Sequence, residues 1–134
     1  MAQAIITALA KDRTKRYADV PSFIQAVSTK KTAEQWLNEG NALGNSGRFE
    51  EELQANEAAL RLNPNYAMAH YGKGVALATL ERYQEALQAF ETALRLNPND
   101  AEAYQGKGFA LEKLGKKAEA QLAFDKAKEL GYKR

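Results

Sequence analysis

The sequence predicts an all-α protein in which three helical hairpins stack side by side, preceded by one or two short helices. The first observation is a repeat: the string at 59–65 recurs 34 positions later at 93–99, and such a period is typical of two-helix repeats. Alanine and leucine recur at helical spacing through 67–80 and 83–96. Pro98 then ends the second stretch, because proline disfavours helical geometry in the residue before it.

The first 32 residues do not follow the period and form a separate segment. We predict a short helix near 2–10, then a basic loop, then a helix from Asp19, a good N-cap, to Ser28. Six Lys/Arg and two Asp give this segment a charge of +4, whereas thirteen Lys/Arg and fifteen acidic residues give 33–134 a charge of −2. A solvated loop explains the basic segment better than nucleic-acid contact, because six charges without interleaved aromatic residues make a weak footprint.

The period defines three units, and each contains a first and a second helix. Their bounds are 33–66, 67–100 and 101–134. Short turns between the helices of a unit are predicted at 45–48, 81–82 and 115–116. Asp100 is the predicted N-cap of the first helix in the last unit.

One slot inside the first helix holds Gly40, Gly74 and Gly108. Glycine in a helix interior costs about 1 kcal/mol relative to alanine, so its recurrence at one slot predicts a close helix–helix approach. The opposing small residues are predicted to be Ala86 and Ala120 on the second helix. Larger residues share three other slots: Trp36, His70 and Tyr104; Leu43, Leu77 and Leu111; Phe90 and Phe124.

The second unit carries a family pattern. Its residues run bulky, Gly, Leu, aromatic, Ala, Phe, Ala, Pro, at His70, Gly74, Leu77, Tyr83, Ala86, Phe90, Ala93 and Pro98. This pattern resembles the tetratricopeptide repeat (TPR) family, and the resemblance covers 33–134. It implies a right-handed α-solenoid that serves as a non-catalytic protein-interaction scaffold. The first helices of such solenoids line the concave side, which is the usual binding surface.

Two of the three units depart from the pattern. In unit one, Glu52 stands at the slot of Ala86, and Asn56 stands at the slot of Phe90. Unpaired polar groups are costly in packed surface, so either the second helix of unit one splays outward or something polar covers it. In unit three, Lys117 replaces an aromatic residue, and no further helix covers the last hairpin. Repeat arrays need polar caps, so we predict that this end face is sticky and pairs with another copy.

Residues 8–27 carry a second resemblance. The string from Ala8 to Phe23 is similar to the closing segment of a bacterial-type Ser/Thr protein kinase domain, with Arg16 at its buried arginine and Arg13 where proline is usual. The resemblance implies the tail of a kinase–TPR protein, or a shortened relative, whose final helices stack against unit one. The alternative is a generic amphipathic helix pair. The chain contains no kinase catalytic motif.

The composition excludes several kinds of site. The chain has no cysteine, which excludes disulfides and thiolate zinc sites. His70 is the only histidine and shares a slot with Trp36, so we interpret it as packed rather than catalytic. The Gly-Lys-Gly strings at 72–74 and 106–108 lack phosphate-loop spacing, and the apolar stretch at 4–10 is too short to span a bilayer. We predict no catalytic residue, cofactor or metal, no nucleic-acid or membrane partner, and a cytoplasmic location.

The predicted partner is a protein or peptide held in the concave groove of the first helices. The predicted groove residues are Leu37, Asn38, Asn41, Met68, Tyr71, Val75, Gln105 and Phe109. Their aromatic, aliphatic and amide groups suit an extended peptide or a helix with an apolar anchor. Gly72 and Gly106 are predicted to leave hollows beside Tyr71 and Phe109. Packing between neighbouring repeats is an equally good explanation for Val75 and Phe109.

The resemblance does not extend to one known binding mode. Family members that bind the carboxylate ends of chaperone tails use Lys, Asn, Asn, Lys and Arg at five groove slots. Those slots here hold Leu37, Asn41, Gly72, Glu102 and Gly106. Only Asn41 fits, so a chaperone-tail clamp is not expected. The alternative function is structural self-association, in which open repeat ends stack copy on copy.

Overall fold

The computed structural model describes residues 30–132 and shows six α-helices and no strand within them. The helices are α1 Ala33–Asn45, α2 Phe49–Leu62, α3 Ala67–Thr79, α4 Tyr83–Leu96, α5 Ala101–Lys113 and α6 Lys117–Glu129. They pair as α1–α2, α3–α4 and α5–α6, and α2 packs on α3 as α4 packs on α5. This confirms the all-α fold of three stacked hairpins. The predicted N-terminal helices and the kinase-like string lie outside the described residues.

Side chains cap the first helices of units one and three. Thr32 and Gln35 form a capping box, in which Gln35 N donates to Thr32 Oγ1 at 3.1 Å and Thr32 N donates to Gln35 Oε1 at 2.8 Å. The predicted cap at Asp100 is confirmed, because its Oδ1 accepts from the backbone N–H of Glu102 at 3.1 Å and of Ala103 at 3.3 Å. These caps fix where α1 and α5 begin, and thus which residues of each helix face the neighbouring repeat.

The turn inside each hairpin needs one residue in the left-handed region. Gly47, Glu81 and Gly115 occupy this slot with φ of 80°, 64° and 83°. Two of the three are glycine, which adopts positive φ without steric cost. Glu81 adopts it with a side chain, so the middle hairpin holds a strained turn.

The helix glycines make room for the ring of Phe90, which corrects the expectation that they oppose Ala86 and Ala120. A Cβ placed on Gly74 would lie 2.8 Å from Phe90 Cδ1, and one on Gly106 would lie 2.5 Å from Phe90 Cε1. The ring, which is 2% exposed, is therefore clasped between its own repeat and the next. The predicted hollow at Gly106 is filled by this ring.

Unit one uses the same clasp with an amide in place of the ring. Asn56 is fully buried, and its side chain lies between Gly40 and Gly72, where an added Cβ would come within 3.2 Å and 2.6 Å of it. Asn56 Nδ2 donates to the backbone oxygen of Glu52 at 3.0 Å. Its Oδ1 has no hydrogen-bond partner in the part of the chain that the structure describes.

Glu52 is accommodated by a glycine rather than by a splayed helix. The side chain is 5% exposed, and a Cβ on Gly44 would lie 2.7 Å from its carboxyl carbon. The corresponding pair in unit two is Ala78 and Ala86, so a larger residue on α2 is matched by a smaller one on α1. The expected polar covering is not found among residues 30–132, since Glu52 Oε1 has no hydrogen-bond partner there. Burial raises the pKa of this carboxyl.

The outer face of α6 is more polar than the faces buried between repeats. Leu87 and Leu94 of α4 are 5% and 8% exposed, and their counterparts one repeat later are the exposed Gln121 and Lys128. Phe124 is only half-buried, with Gly108 beside its ring. The face therefore combines two polar substitutions with an aromatic ring that has one glycine against it.

Candidate functional site

A cleft of about 340 Å³ lies between the first helices of units two and three. Its volume lies within the range of roughly 300–1,000 Å³ that ligand pockets usually have. The cleft is lined by Tyr71, Val75, Ala78, Thr79, Phe90, Glu102, Gln105, Gly106, Phe109 and Tyr132.

Helical periodicity aligns the lining residues into two stripes. On α3 the stripe runs from Tyr71 through Val75 to Thr79, and on α5 it runs from Glu102 through Gln105 to Phe109. Residues three or four positions apart lie on one face of a helix, so each stripe presents its side chains to the same side. The 34-residue shift places Gln105 and Phe109 at the positions that Tyr71 and Val75 hold one repeat earlier.

Aromatic rings form the base and one wall of the cleft. Tyr71 packs on Phe90 with ring centroids 5.8 Å apart and planes at 56°. Phe109 packs edge-on against Tyr83 at 6.1 Å, and it remains 39% exposed. Val75 packs against the core cluster around Phe90 and also lines the cleft. Tilted and edge-on packing at these distances is the geometry that aromatic pairs prefer.

The charges around the cleft are unequal at its two ends. Glu102 is the one charged residue among the described residues that line it. Burial, followed by the carboxylates of Glu102 and Asp100 and by Tyr132, raises the pKa of Tyr71 to about 12. At the other end of α5, Lys113 Nζ lies 5.4 Å from the ring centroid of Phe109, which is within cation–π range.

The eight sequence-predicted groove residues separate into two sets. Tyr71, Val75, Gln105 and Phe109 line the cleft together. The other four do not line it: Asn38 and Asn41 are exposed on α1, Met68 is 62% exposed on α3, and Leu37 is buried. Leu37 is 4% exposed and packs against Ala59 and Ala69, so it offers almost no surface to a partner.

Six lining residues are not among the eight predicted groove positions, and two of them, Phe90 and Tyr132, lie outside the first helices. The repeat predicts a packing slot for Phe90, yet its ring also lines the cleft beside Gly106. Tyr132 arrives by a turn, in which Gly131 has φ of 101° and Tyr132 N donates to Ala127 O at 2.9 Å. Tyr132 occupies the position that Pro98 holds one repeat earlier. This departure from the repeat is the sequence feature that could have identified Tyr132.

His70, which the sequence predicts to be packed rather than catalytic, makes a contact within the fold. His70 Nε2 lies 2.9 Å from the backbone oxygen of Pro64, a contact that ties α3 to the turn before it. Within residues 30–132, no group of three or more His, Asp or Glu residues is arranged to hold a metal ion. No helix in this range is both long and apolar enough to cross a bilayer.

Comparisons with known proteins agree with this architecture. Two family models, both described as tetratricopeptide repeat, match residues 37–101 and 89–122. The comparison with curated proteins returned no match.

Solved structures similar to this chain include TPR domains. The second TPR of Spaghetti bound to an HSP90 peptide has a TM-score of 0.73 at 23% identity, covering 79% of this chain and 98% of that chain. The TPR domain of OM64 from Arabidopsis has a TM-score of 0.73 at 25% identity, covering 74% and 82%. MamA has a TM-score of 0.70 at 30% identity, covering 74% of this chain, which spans only 58% of that chain's length.

Proposed function

We propose that this chain is a non-catalytic scaffold that binds a segment of another protein, since its residues 37–122 match two tetratricopeptide repeat models. The bound segment is an extended peptide or a helix, and it lies on the first helices. The observation that carries the proposal is the cleft between α3 and α5, where Tyr71 and Phe109 present partly exposed rings over a rigid base.

Two further facts support a peptide ligand. The cleft has room for a large apolar side chain, and buried aromatic anchors contribute most of the binding energy in interfaces of this kind. A structural neighbour with the same fold, the second TPR of Spaghetti, is bound to the HSP90 peptide SRMEEVD. A carboxylate clamp is not proposed, since four of its five slots lack the amide and basic groups that it uses; they hold Leu37, Gly72, Glu102 and Gly106.

The test is selection of a displayed random dodecapeptide library on the immobilised chain. We expect enriched peptides to bind the wild-type chain and to lose most of their affinity for Phe109→Ala and Tyr71→Ala. The matched control is Leu122→Ala, which removes a side chain that is 69% exposed and lies outside the cleft. A correctly folded chain that enriches no peptide, or equal binding to all variants, contradicts the proposal.

A second candidate function is self-association through the end face of unit three. It is supported by Leu122, which is 69% exposed, and by a hollow of about 290 Å³ lined by Gln105, Phe124, Lys128 and Tyr132. Gln121 and Lys128 oppose it, because they replace the leucines that close the internal interfaces. Sedimentation at high concentration distinguishes the two functions: a strict monomer excludes self-association, and loss of peptide binding in Phe109→Ala without change of oligomeric state favours the scaffold.

The proposed context is a Ser/Thr kinase that these repeats target or regulate, in the cytoplasm. Its support is the string from Ala8 to Phe23 in the sequence, which neither family model covers. The test is to read the genomic frame upstream of Met1. An adjoining kinase domain supports this context, and an unrelated gene contradicts it.

A further inference from the structure

The charges around the cleft point to the chemistry of its partner. We infer that the cleft takes an apolar anchor residue with a Lys or Arg on the side of Glu102, rather than an acidic segment or a free carboxylate. The inference rests on the proposed scaffold function and specifies the ligand of the same site.

The charge that the cleft presents near Tyr71 is negative. Glu102 is exposed and lines the cleft, and none of the lining residues within 30–132 is Lys or Arg. Asp100 is the N-cap of the same helix, two residues before Glu102. A carboxylate placed at this end of the helix would meet these two negative side chains, and no described lining residue would offset them with a positive charge. A partner cation there gains attraction from both.

The ring of Phe109 is the surface on which an apolar anchor of the partner would pack. Phe109 is 39% exposed, while Phe90 beneath the cleft is 2% exposed. Tyr71 connects the two, since its ring packs on Phe90 and its stripe faces that of Phe109. An apolar side chain between these rings removes the exposed part of Phe109 from water, which is the favourable term for docking.

Opposite charges at the two ends of α5 set the direction in which the partner binds. Glu102 and Lys113 lie at opposite ends of α5, eleven residues apart, which at 1.5 Å per residue is about 16 Å. An extended chain advances about 3.3 Å per residue, so a segment of about five residues spans that distance. The partner's cation lies towards Glu102, its anchor lies near Phe109 in the middle, and an acidic or amide residue suits the end near Lys113.

The experiment uses the peptides that are enriched on the wild-type chain. We expect a Lys or Arg two or three residues from a large apolar residue in the enriched set. One such peptide and its Lys→Glu counterpart, both acetylated and amidated, are then titrated by fluorescence anisotropy against wild type, Glu102→Gln and Glu102→Lys. The matched control is Glu119→Lys, which reverses an exposed charge on α6 outside the cleft.

The expected result is a charge swap. Glu102→Lys weakens the basic peptide by about fivefold, a modest factor because exposed ion pairs are weak, and the acidic peptide binds Glu102→Lys better than wild type. Glu119→Lys leaves both affinities unchanged. Enrichment of peptides that carry acidic residues or a free carboxylate and no Lys or Arg overturns the inference, as does equal loss of both peptides in Glu102→Lys.

Failure of the inference is distinguishable from failure of the scaffold function. Peptides that bind wild type and are lost in Phe109→Ala, yet show no preference for a basic residue, refute the charge assignment alone. Absence of any enriched peptide on a folded chain refutes both.

Discussion

Glu52 and Gly44 form a matched pair, and exchanging both residues for the alanines of unit two is expected to stabilise the chain. The Glu52 side chain is 5% exposed, and its Oε1 has no hydrogen-bond partner among the described residues. In unit two the same contact is made by Ala78 and Ala86. The double variant Gly44→Ala/Glu52→Ala therefore installs a pair that this fold already accepts.

The magnitude follows from three contributions. Removing a buried, unsatisfied polar group gains about 1–3 kcal/mol. Replacing glycine by alanine in a helix interior gains about 1 kcal/mol. Glu52 loses two methylene groups at about 0.8 kcal/mol each, and the new methyl group at position 44 restores about half of that. The net gain is about 2 kcal/mol, or about 10 °C in Tm for an array of this size.

The assay is urea denaturation of the four chains in the double-mutant cycle, read by circular dichroism and by fluorescence. Trp36 is the only tryptophan and lies on α1, so its emission reports hairpin one. Gly44→Ala alone forces its methyl group against the Glu52 carboxyl group, because the Cβ would lie 2.7 Å from Cδ. It should therefore stabilise the chain only when residue 52 is also alanine. Additive effects in the cycle would refute this reasoning.

The same pair predicts a pH dependence with a definite sign. Burial raises the pKa of Glu52 above its usual value of 4.5, so the folded state is penalised only when the carboxyl group is ionised. The Glu52 contribution is intact below pH 4.5, where both folded and unfolded states are protonated, and it is lost as the pH rises through the raised pKa. The advantage of the double variant should accordingly be smaller at pH 4 than at pH 8, and an advantage that grows on acidification contradicts the assignment.

Three further outcomes are expected. Glu81→Gly should raise the free energy of unfolding by about 1 kcal/mol, because φ of 64° strains a residue with a side chain; thermal denaturation measures this, and an unchanged Tm counts against it. Gly106→Ala should lower it by about 1–3 kcal/mol through overpacking, because the new Cβ would lie 2.5 Å from the Phe90 ring; a rise in Tm would show that the ring is not clasped. Tyr71 should ionise near pH 12, so a Tyr71→Phe variant should lack the last step in the absorbance titration at 295 nm, whereas loss of a step near pH 10 would contradict its burial.

Much of the fold could be predicted because period, proline and caps act locally. The hairpins and the Asp100 cap follow from residues close in sequence. The partner of the glycine slot could not be predicted in this way. Ala86 and Phe90 are four residues apart and share one face of α4, so periodicity cannot tell which of them opposes Gly74. That choice depends on how far the two helices are displaced along their axes.

The candidate site was predictable only in part for the same reason. The stripes that contain Tyr71 and Phe109 follow from the repeat, but the exposure of each member depends on the neighbouring unit. Leu37 is covered by Ala59 and Ala69 from two other helices, which periodicity within α1 does not reveal. Tyr132 joins the cleft through a left-handed turn at Gly131, a backbone feature that no helical pattern encodes.

Phe90 and Asn56 each lie between glycines of two successive units, and this arrangement affects how the array unfolds. In a linear repeat protein, stability is a sum of unit terms and nearest-neighbour couplings. The coupling of units two and three is closed by the ring of Phe90, whereas that of units one and two is closed by Asn56, whose Oδ1 is unpartnered within the described chain. The coupling between units one and two is therefore weaker than that between units two and three. Hairpin one should accordingly separate first when the array unfolds only in part. The cleft, which lies between units two and three, would keep its shape through that event.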